Sequence, residues 1–257
     1  MFKASKRFGE AKGPFTVWFF ITLYFATLSA FAGSSGRTLP QDLTVFLVLN
    51  LLFNMVMNGG VLLLFLVVFL ALWEKRRSLR DIFSSVGVKT EGFVKSVSWS
   101  IALFPLCLAT GLITIILSYV LGPVPFLSAF PSNNGQFPLW YVYYIIVNSF
   151  FPVAVVEEAV GRGYMLDRLM PQHPSGIAKA LPAILLNSIL FTLWHLPSYL
   201  RVYEFPLPWV AALLAGNVFP LSFVLGIAYV RSRTRNIAGP VLIHFLLDSI
   251  PYILMLA

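Results

Sequence analysis

The chain predicts an all-α, polytopic transmembrane bundle of about seven spans with its N-terminus on the cytoplasmic side. Three observations carry that expectation. Of 257 residues, 58% are hydrophobic and 11% charged, and the mean hydropathy of +0.84 lies far from that of a soluble domain. The apolar runs are long and mostly unbroken, whereas a membrane barrel alternates polarity over segments of about ten residues. Lysine and arginine gather at alternate span ends, as cytoplasmic loops require.

The first span is expected from about Phe15 to Gly33, behind a basic lead of Lys3, Lys6, Arg7 and Lys12. The run is too long for the apolar core of a signal peptide, so a retained span is the reading. A polar loop, Ser34 to Asp42, precedes a second run from Leu43 to Trp73, longer than the roughly twenty residues a bilayer needs. Asn54, Asn58 and the Gly59-Gly60 pair are candidates to kink it or to mark where two shorter helices meet.

Glu74 to Gly92 is the most charged linker. Its Leu79, Ile82, Phe83 and Val86 recur at helical spacing, which predicts an amphipathic segment along the membrane surface. A third span is expected from Phe93 to Leu121, followed by a proline-rich loop from Gly122 to Pro138 without Lys or Arg. The fourth runs from Leu139 to Leu169 and ends before Pro171, since proline and glycine continue a helix only at a cost. The fifth spans about Ala180 to Tyr199, the sixth Pro208 to Val230, and the last starts near Ile237. Residues 1–136 form a group of spans without a chemical motif, and 137–257 hold every candidate group.

The net charge of +8 would suggest nucleic acid in a soluble protein. Here the basic residues border apolar segments and meet lipid headgroups, so no nucleic-acid partner is expected. Cys107, the single cysteine, reads as a core thiol and excludes an internal disulfide. No internal repeat or inverted symmetry is visible, which counts against a secondary transporter.

Ionisable groups inside apolar spans are expensive and point to function. Adjacent helical residues diverge by about 100°, so Glu157 and Glu158 face different neighbours. Arg162, four residues after Glu158, is placed to form an ion pair with it. Glu157 has no such local partner. Ala154 and Gly161 on its face are small, which would leave room for water or a substrate backbone and suit Glu157 as a general base. Asn187, Phe191 and His195 share a face of the fifth span, with Phe191 beside the imidazole. His244 and Asp248 repeat the i, i+4 arrangement in the last span, a pair able to orient the histidine, bind an oxyanion or ligate a metal. His173, in a proline-flanked turn, reads as a solvated loop residue. Counted at about 1.5 Å per residue from the cytoplasmic ends, Glu157, His195 and His244 lie about 17, 22 and 11 Å deep. Tilt, or a fifth helix that starts below the boundary, has to absorb about 10 Å.

Glu157-Glu158-x-x-x-Arg162, Phe191-x-x-x-His195 and His244-x-x-x-Asp248, in that order on three membrane helices, resemble the CPBP family of intramembrane proteases (CAAX protease and bacteriocin-processing, Abi-like), which includes the type II prenyl-protein CAAX endopeptidases. Gly161 stands where members often carry Phe, which would widen the pocket. Asp248 stands where the eukaryotic enzymes carry Asn, which fits a prokaryotic branch. The resemblance implies hydrolysis of a peptide bond in a membrane-presented peptide or prenylated protein, at a site open to the cytoplasm of an integral plasma-membrane protein. It implies Glu157 activating water with His195, and His244 and Asp248 stabilising the oxyanion or orienting the site; Glu158, Arg162 and Phe191 are read from their spacing as structural or orienting. Zinc held by Glu157, His195 and His244 is one implied mechanism, and water polarised without metal is the other; the absence of a close His-Glu-x-x-His pair favours the second. The rival readings are a non-catalytic membrane partner that retains the fold and a proton-coupled transporter.

Overall fold

The computed structural model describes residues 4–34, 43–122, 140–171, 176–202 and 206–254. Within them every regular element is helical. We number the helices α1 (Ala4–Ser34), α2 (43–72), α3 (Leu79–Ser85), α4 (Phe93–Leu121), α5 (140–169), α6 (177–202), α7 (207–232) and α8 (Ala238–Leu254). Helices stand at all seven positions expected for spans. Five helical stretches are long and apolar enough to cross a membrane: Leu51–Leu72, Phe93–Ile113, Val142–Leu169, Ile177–Leu200 and Leu207–Ser232, with a shorter apolar stretch at Ala238–Ser249. Large side chains such as Leu64, Ile101, Leu112 and Ile116 lie exposed on outer faces, as they do where a helix meets lipid instead of water.

The long second run is one continuous helix that widens into π turns at Met55–Val61, around Gly59-Gly60. The same device recurs at Ser149–Val155 and Ala159–Leu166 in α5, Ser198–Val202 in α6 and Leu214–Val218 in α7. Each segment holds or directly follows a glycine or proline: Pro152, Gly161 and Gly163, Pro197, and Gly216. Those residues weaken or remove an α-type hydrogen bond, and the backbone re-forms it one residue further on.

The charged linker docks on the bundle. Ser78 caps α3 by accepting from the Asp81 N–H at 3.1 Å. Ile82 and Val86 are buried and Phe83 is half-buried, but Leu79, expected on the same apolar face, points out. α3 begins at Leu79, so this side chain sits in the capped first turn of one short helix and not within a longer amphipathic one. The loop Gly122 to Pro138 lies, apart from Gly122, outside the described residues, as do His173 and most of the loop Ser34 to Asp42.

α5 is the most deeply enclosed helix, buried continuously from Glu158 to Leu166. α4 packs on α7 and α8, α6 on α7, and α1 on α6, where Trp18 donates its indole N–H to the Leu190 carbonyl at 2.8 Å. A polar clasp closes the basic end. Arg168 pairs with Glu74 at 2.8 Å, and Asp167 with Arg235 at 3.2 Å. The buried Asn236 donates to the carbonyls of Lys89 and Glu91 at 2.6 and 3.0 Å and accepts from the Ala238 N–H at 2.8 Å, so it joins the linker to the start of α8.

Several close backbone approaches require glycine. A Cβ on Gly163 would collide with the Val86 carbonyl, and one on Gly239 with the Ser96 carbonyl. Gly163→Ala is expected to destabilise by about 1–3 kcal/mol through overpacking, read by thermal unfolding in detergent. Gly111→Ala, with nothing within 4 Å, is the control and leaves the midpoint unchanged or raised.

Candidate active site

The clasp resolves the apparent mismatch in depth. From the Asp167–Arg235 bridge, Glu157 lies ten residues, about 15 Å, back along α5, and His244 lies nine residues on, the last six of them along α8. Ile184 is level with Leu166, because a Cβ on Gly226 would touch both side chains. α6 therefore begins seven residues, about 10 Å, below that level. Counted from Ile184, His195 is eleven residues away, close to the nine that separate Leu166 from Glu157.

The two glutamates diverge as helical spacing requires. Glu158 is fully buried, and its Oε1 accepts from Arg162 Nη1 at 2.8 Å. The same oxygen lies 2.7 Å from His244 Nδ1. A carboxylate already held by a guanidinium is the acceptor, so His244 Nδ1–H donates to it. Arg162 Nη2 also donates to the Ser222 carbonyl at 3.3 Å, and its guanidinium lies 4.3 Å over the Phe191 ring. Asp248, expected to orient His244, stands further off, with its Oδ2 3.4 Å from His244 Nε2. Glu158, 86 residues from His244, is the closer orienting group, and no local spacing could have revealed it.

Glu157 has no ion pair on its own helix and is the more accessible carboxylate, its side chain 15% exposed against 0% for Glu158. Its Oε2 lies 3.6 Å from His195 Nε2 and 4.0 Å from His244 Nε2. Both separations exceed a direct hydrogen bond but fall within the reach of one bridging water. His195 Nδ1 lies 2.8 Å from the Phe191 carbonyl oxygen, which can only accept. Nδ1 therefore carries a hydrogen and donates it to that carbonyl, which leaves Nε2 as the ring nitrogen facing Glu157. Trp194 Nε1–H also points to this nitrogen, at 3.4 Å.

The open face expected beside Glu157 is filled. A Cβ on Gly161 would lie 3.1 Å from Phe191 Cδ2, so the glycine admits the phenyl ring and does not widen the pocket. The ring centroid lies 4.9 Å from that of His195 and 6.5 Å from that of His244, which sets Phe191 between Arg162 and both imidazoles. Cys107 is buried, as a core thiol should be.

Zinc ligands at about 2.0–2.1 Å in a tetrahedron stand about 3.4 Å apart. Glu157 and His195 are near that separation, but His244 is further from Glu157 and turns Nε2 towards Asp248. Among the described residues no three His, Cys, Asp or Glu side chains are arranged to hold a metal ion. The set as it stands does not fit a three-ligand zinc site.

Residues 138–250 match the family model described as Type II CAAX prenyl endopeptidase Rce1-like. The chain carries a Rce1-like region. It runs through α5, α6, α7 and most of α8 and includes Glu157, Glu158, Arg162, Phe191, His195, His244 and Asp248, in agreement with the family resemblance drawn from the three motifs. No curated protein and no solved structure matches the chain.

The Rce1-like region is held together at Glu158, so removing a partner strands a buried charge. Arg162→Ala is expected to cost about 3–5 kcal/mol, measured as a lower thermal midpoint and lower yield in detergent. Wild-type stability in this variant would contradict a structural pair.

Proposed function

We propose that this protein is an intramembrane endopeptidase of the CAAX type that hydrolyses a peptide bond in a membrane-presented peptide or protein, with a prenylated CAAX C-terminus as the foremost substrate. The reading rests on one observation: Glu157 Oε2, buried and without a hydrogen-bond partner among the described residues, faces the Nε2 atoms of two imidazoles from two other helices at 3.6 and 4.0 Å, so placed that one water beside them reaches all three. The family match supports the reaction class.

Glu157 accepts a proton from that water while His195 Nε2, its tautomer set by the Phe191 carbonyl, accepts the second O–H hydrogen bond and aims the oxygen. The oxygen attacks the scissile carbonyl carbon, and the carbonyl π electrons move onto oxygen. In its doubly protonated form His244 donates Nε2–H to this oxyanion, with Nδ1–H held by Glu158 and Asp248 beside it. Collapse of the intermediate breaks the C–N bond, and Glu157 returns its proton to the leaving amine. No step requires a metal. The protein sits in a prokaryotic plasma membrane with the N-terminus and the basic clasp on the cytoplasmic side, from which the site is reached.

With purified protein and a farnesylated CAAX peptide, Glu157→Ala and His195→Ala are expected to lower the cleavage rate by about 10²- to 10⁴-fold while the protein stays folded. Full activity in either variant would sink the mechanism, and ion flux in liposomes without proteolysis would favour a carrier. Chelator is expected to leave the rate unchanged. Loss of activity that zinc restores would overturn the metal-free step.

A further inference from the structure

Beneath the proposed catalytic set lies a second polar layer that the mechanism leaves unused. Leu166, Ile184 and Gly226 meet at one level, since a Cβ on Gly226 would lie 2.9 Å from Ile184 Cγ2 and 3.6 Å from Leu166 Cδ2. About one helical turn nearer the site stand Arg162 on α5, Asn187 on α6 and Ser222 on α7. The bond from Arg162 Nη2 to the Ser222 carbonyl, 3.3 Å, joins two of them directly. Asn187 lies on the α6 face of Phe191, whose ring stacks under the Arg162 guanidinium.

All three side chains are fully buried, and all carry polar atoms without a hydrogen-bond partner: Arg162 Nε, both Asn187 Oδ1 and Nδ2, and Ser222 Oγ, together with Glu158 Oε2. Buried polar groups are almost always satisfied, and an amide with neither end bonded is costly. The set is complementary in chemistry. Arg162 Nε–H and Asn187 Nδ2–H donate, Asn187 Oδ1 and Glu158 Oε2 accept, and the Ser222 hydroxyl does either. Water is the ligand such a mixture takes, because it needs two to four partners of both kinds.

We propose that Asn187 and Ser222 hold ordered water against Arg162 and Glu158, and that they act as positioning residues for the site. Water in this layer satisfies the second oxygen of Glu158, so that its first oxygen stays committed to His244 Nδ1. That keeps the His244 ring fixed with Nε2 beside Asp248 and 4.0 Å from Glu157. The catalytic consequence rests on the protease reading; the water layer itself does not.

The test has arms that separate the two. An experimental structure of the full chain in lipid is expected to show ordered water bonded to Asn187 and Arg162. A dry layer, with Ser222 Oγ turned onto its own helix backbone, would overturn the proposal. Asn187→Leu keeps the size and removes both polar atoms, and Ser222→Ala removes the hydroxyl. Their effects on the thermal midpoint are expected to be non-additive; additive effects would contradict shared water. With the farnesylated CAAX peptide, Asn187→Leu is expected to lower kcat about tenfold with KM within about twofold, the loss that follows one disturbed hydrogen bond to a charged group. Asn187→Ser, which restores a polar atom, is expected to recover most of that loss. Wild-type kcat in Asn187→Leu, or no recovery in a folded Asn187→Ser, would overturn the positioning role. If the wild-type protein cleaves no peptide, the protease reading fails while the structure and the midpoint coupling still decide the water layer.

Discussion

One carboxylate oxygen holds three helices in register. Glu158 Oε1 accepts from Arg162, on its own helix, and from His244, on the last, and Arg162 reaches on to the Ser222 carbonyl of α7. Away from water, such charge-assisted bonds are strong when complete and costly when broken. Lipid-facing surfaces supply no hydrophobic drive between helices, so packing and buried polar bonds of this kind have to select one arrangement. The neighbouring Glu157 is left without an ion pair on its own helix because α-helical geometry turns it towards different neighbours.

The arrangement also depends on levels. Four helices contribute to the centre, and they do not begin at the same height. The Asp167–Arg235 bridge sets α5 against the turn that leads into α8, the Gly226 contact sets α7 against α6 and α5, and Asn236 fastens the start of α8 to the linker. Each fastening lies well below the site, yet each decides whether the imidazoles meet the carboxylate. The linker is therefore part of the device that aligns the site and not a mere connection.

Much of this was legible in the residues. Seven long apolar runs announced the helices, and the boundaries of α4, Phe93 and Leu121, agree with those expected from the sequence. The Glu158–Arg162 pair followed from a spacing of four. What stayed hidden was long-range. Nothing in local spacing says that His244 bonds Glu158, that Phe191 fills the space beside Gly161, or that Asn236 joins the linker to α8. The low start of α6 was one of two ways, with tilt, in which a mismatch of about 10 Å could be absorbed, and local spacing did not choose between them. Leu79 shows the opposite limit: its spacing was right, but the helix that would have buried it is too short.

The widened turns of α5 carry one more consequence. A π turn is a helix that has accommodated one residue more than its α-helical register allows, and Ala159–Leu166 places such a turn directly between Glu157 and the clasp at Asp167. Without that turn, an α-helix of the same length would rotate everything on one side by about 100° about the helix axis relative to the other. Glu157 would then point away from both imidazoles even with every side chain of the motif present. Along this stretch the departure of the backbone from α geometry is as much a functional constraint as the side chains it carries.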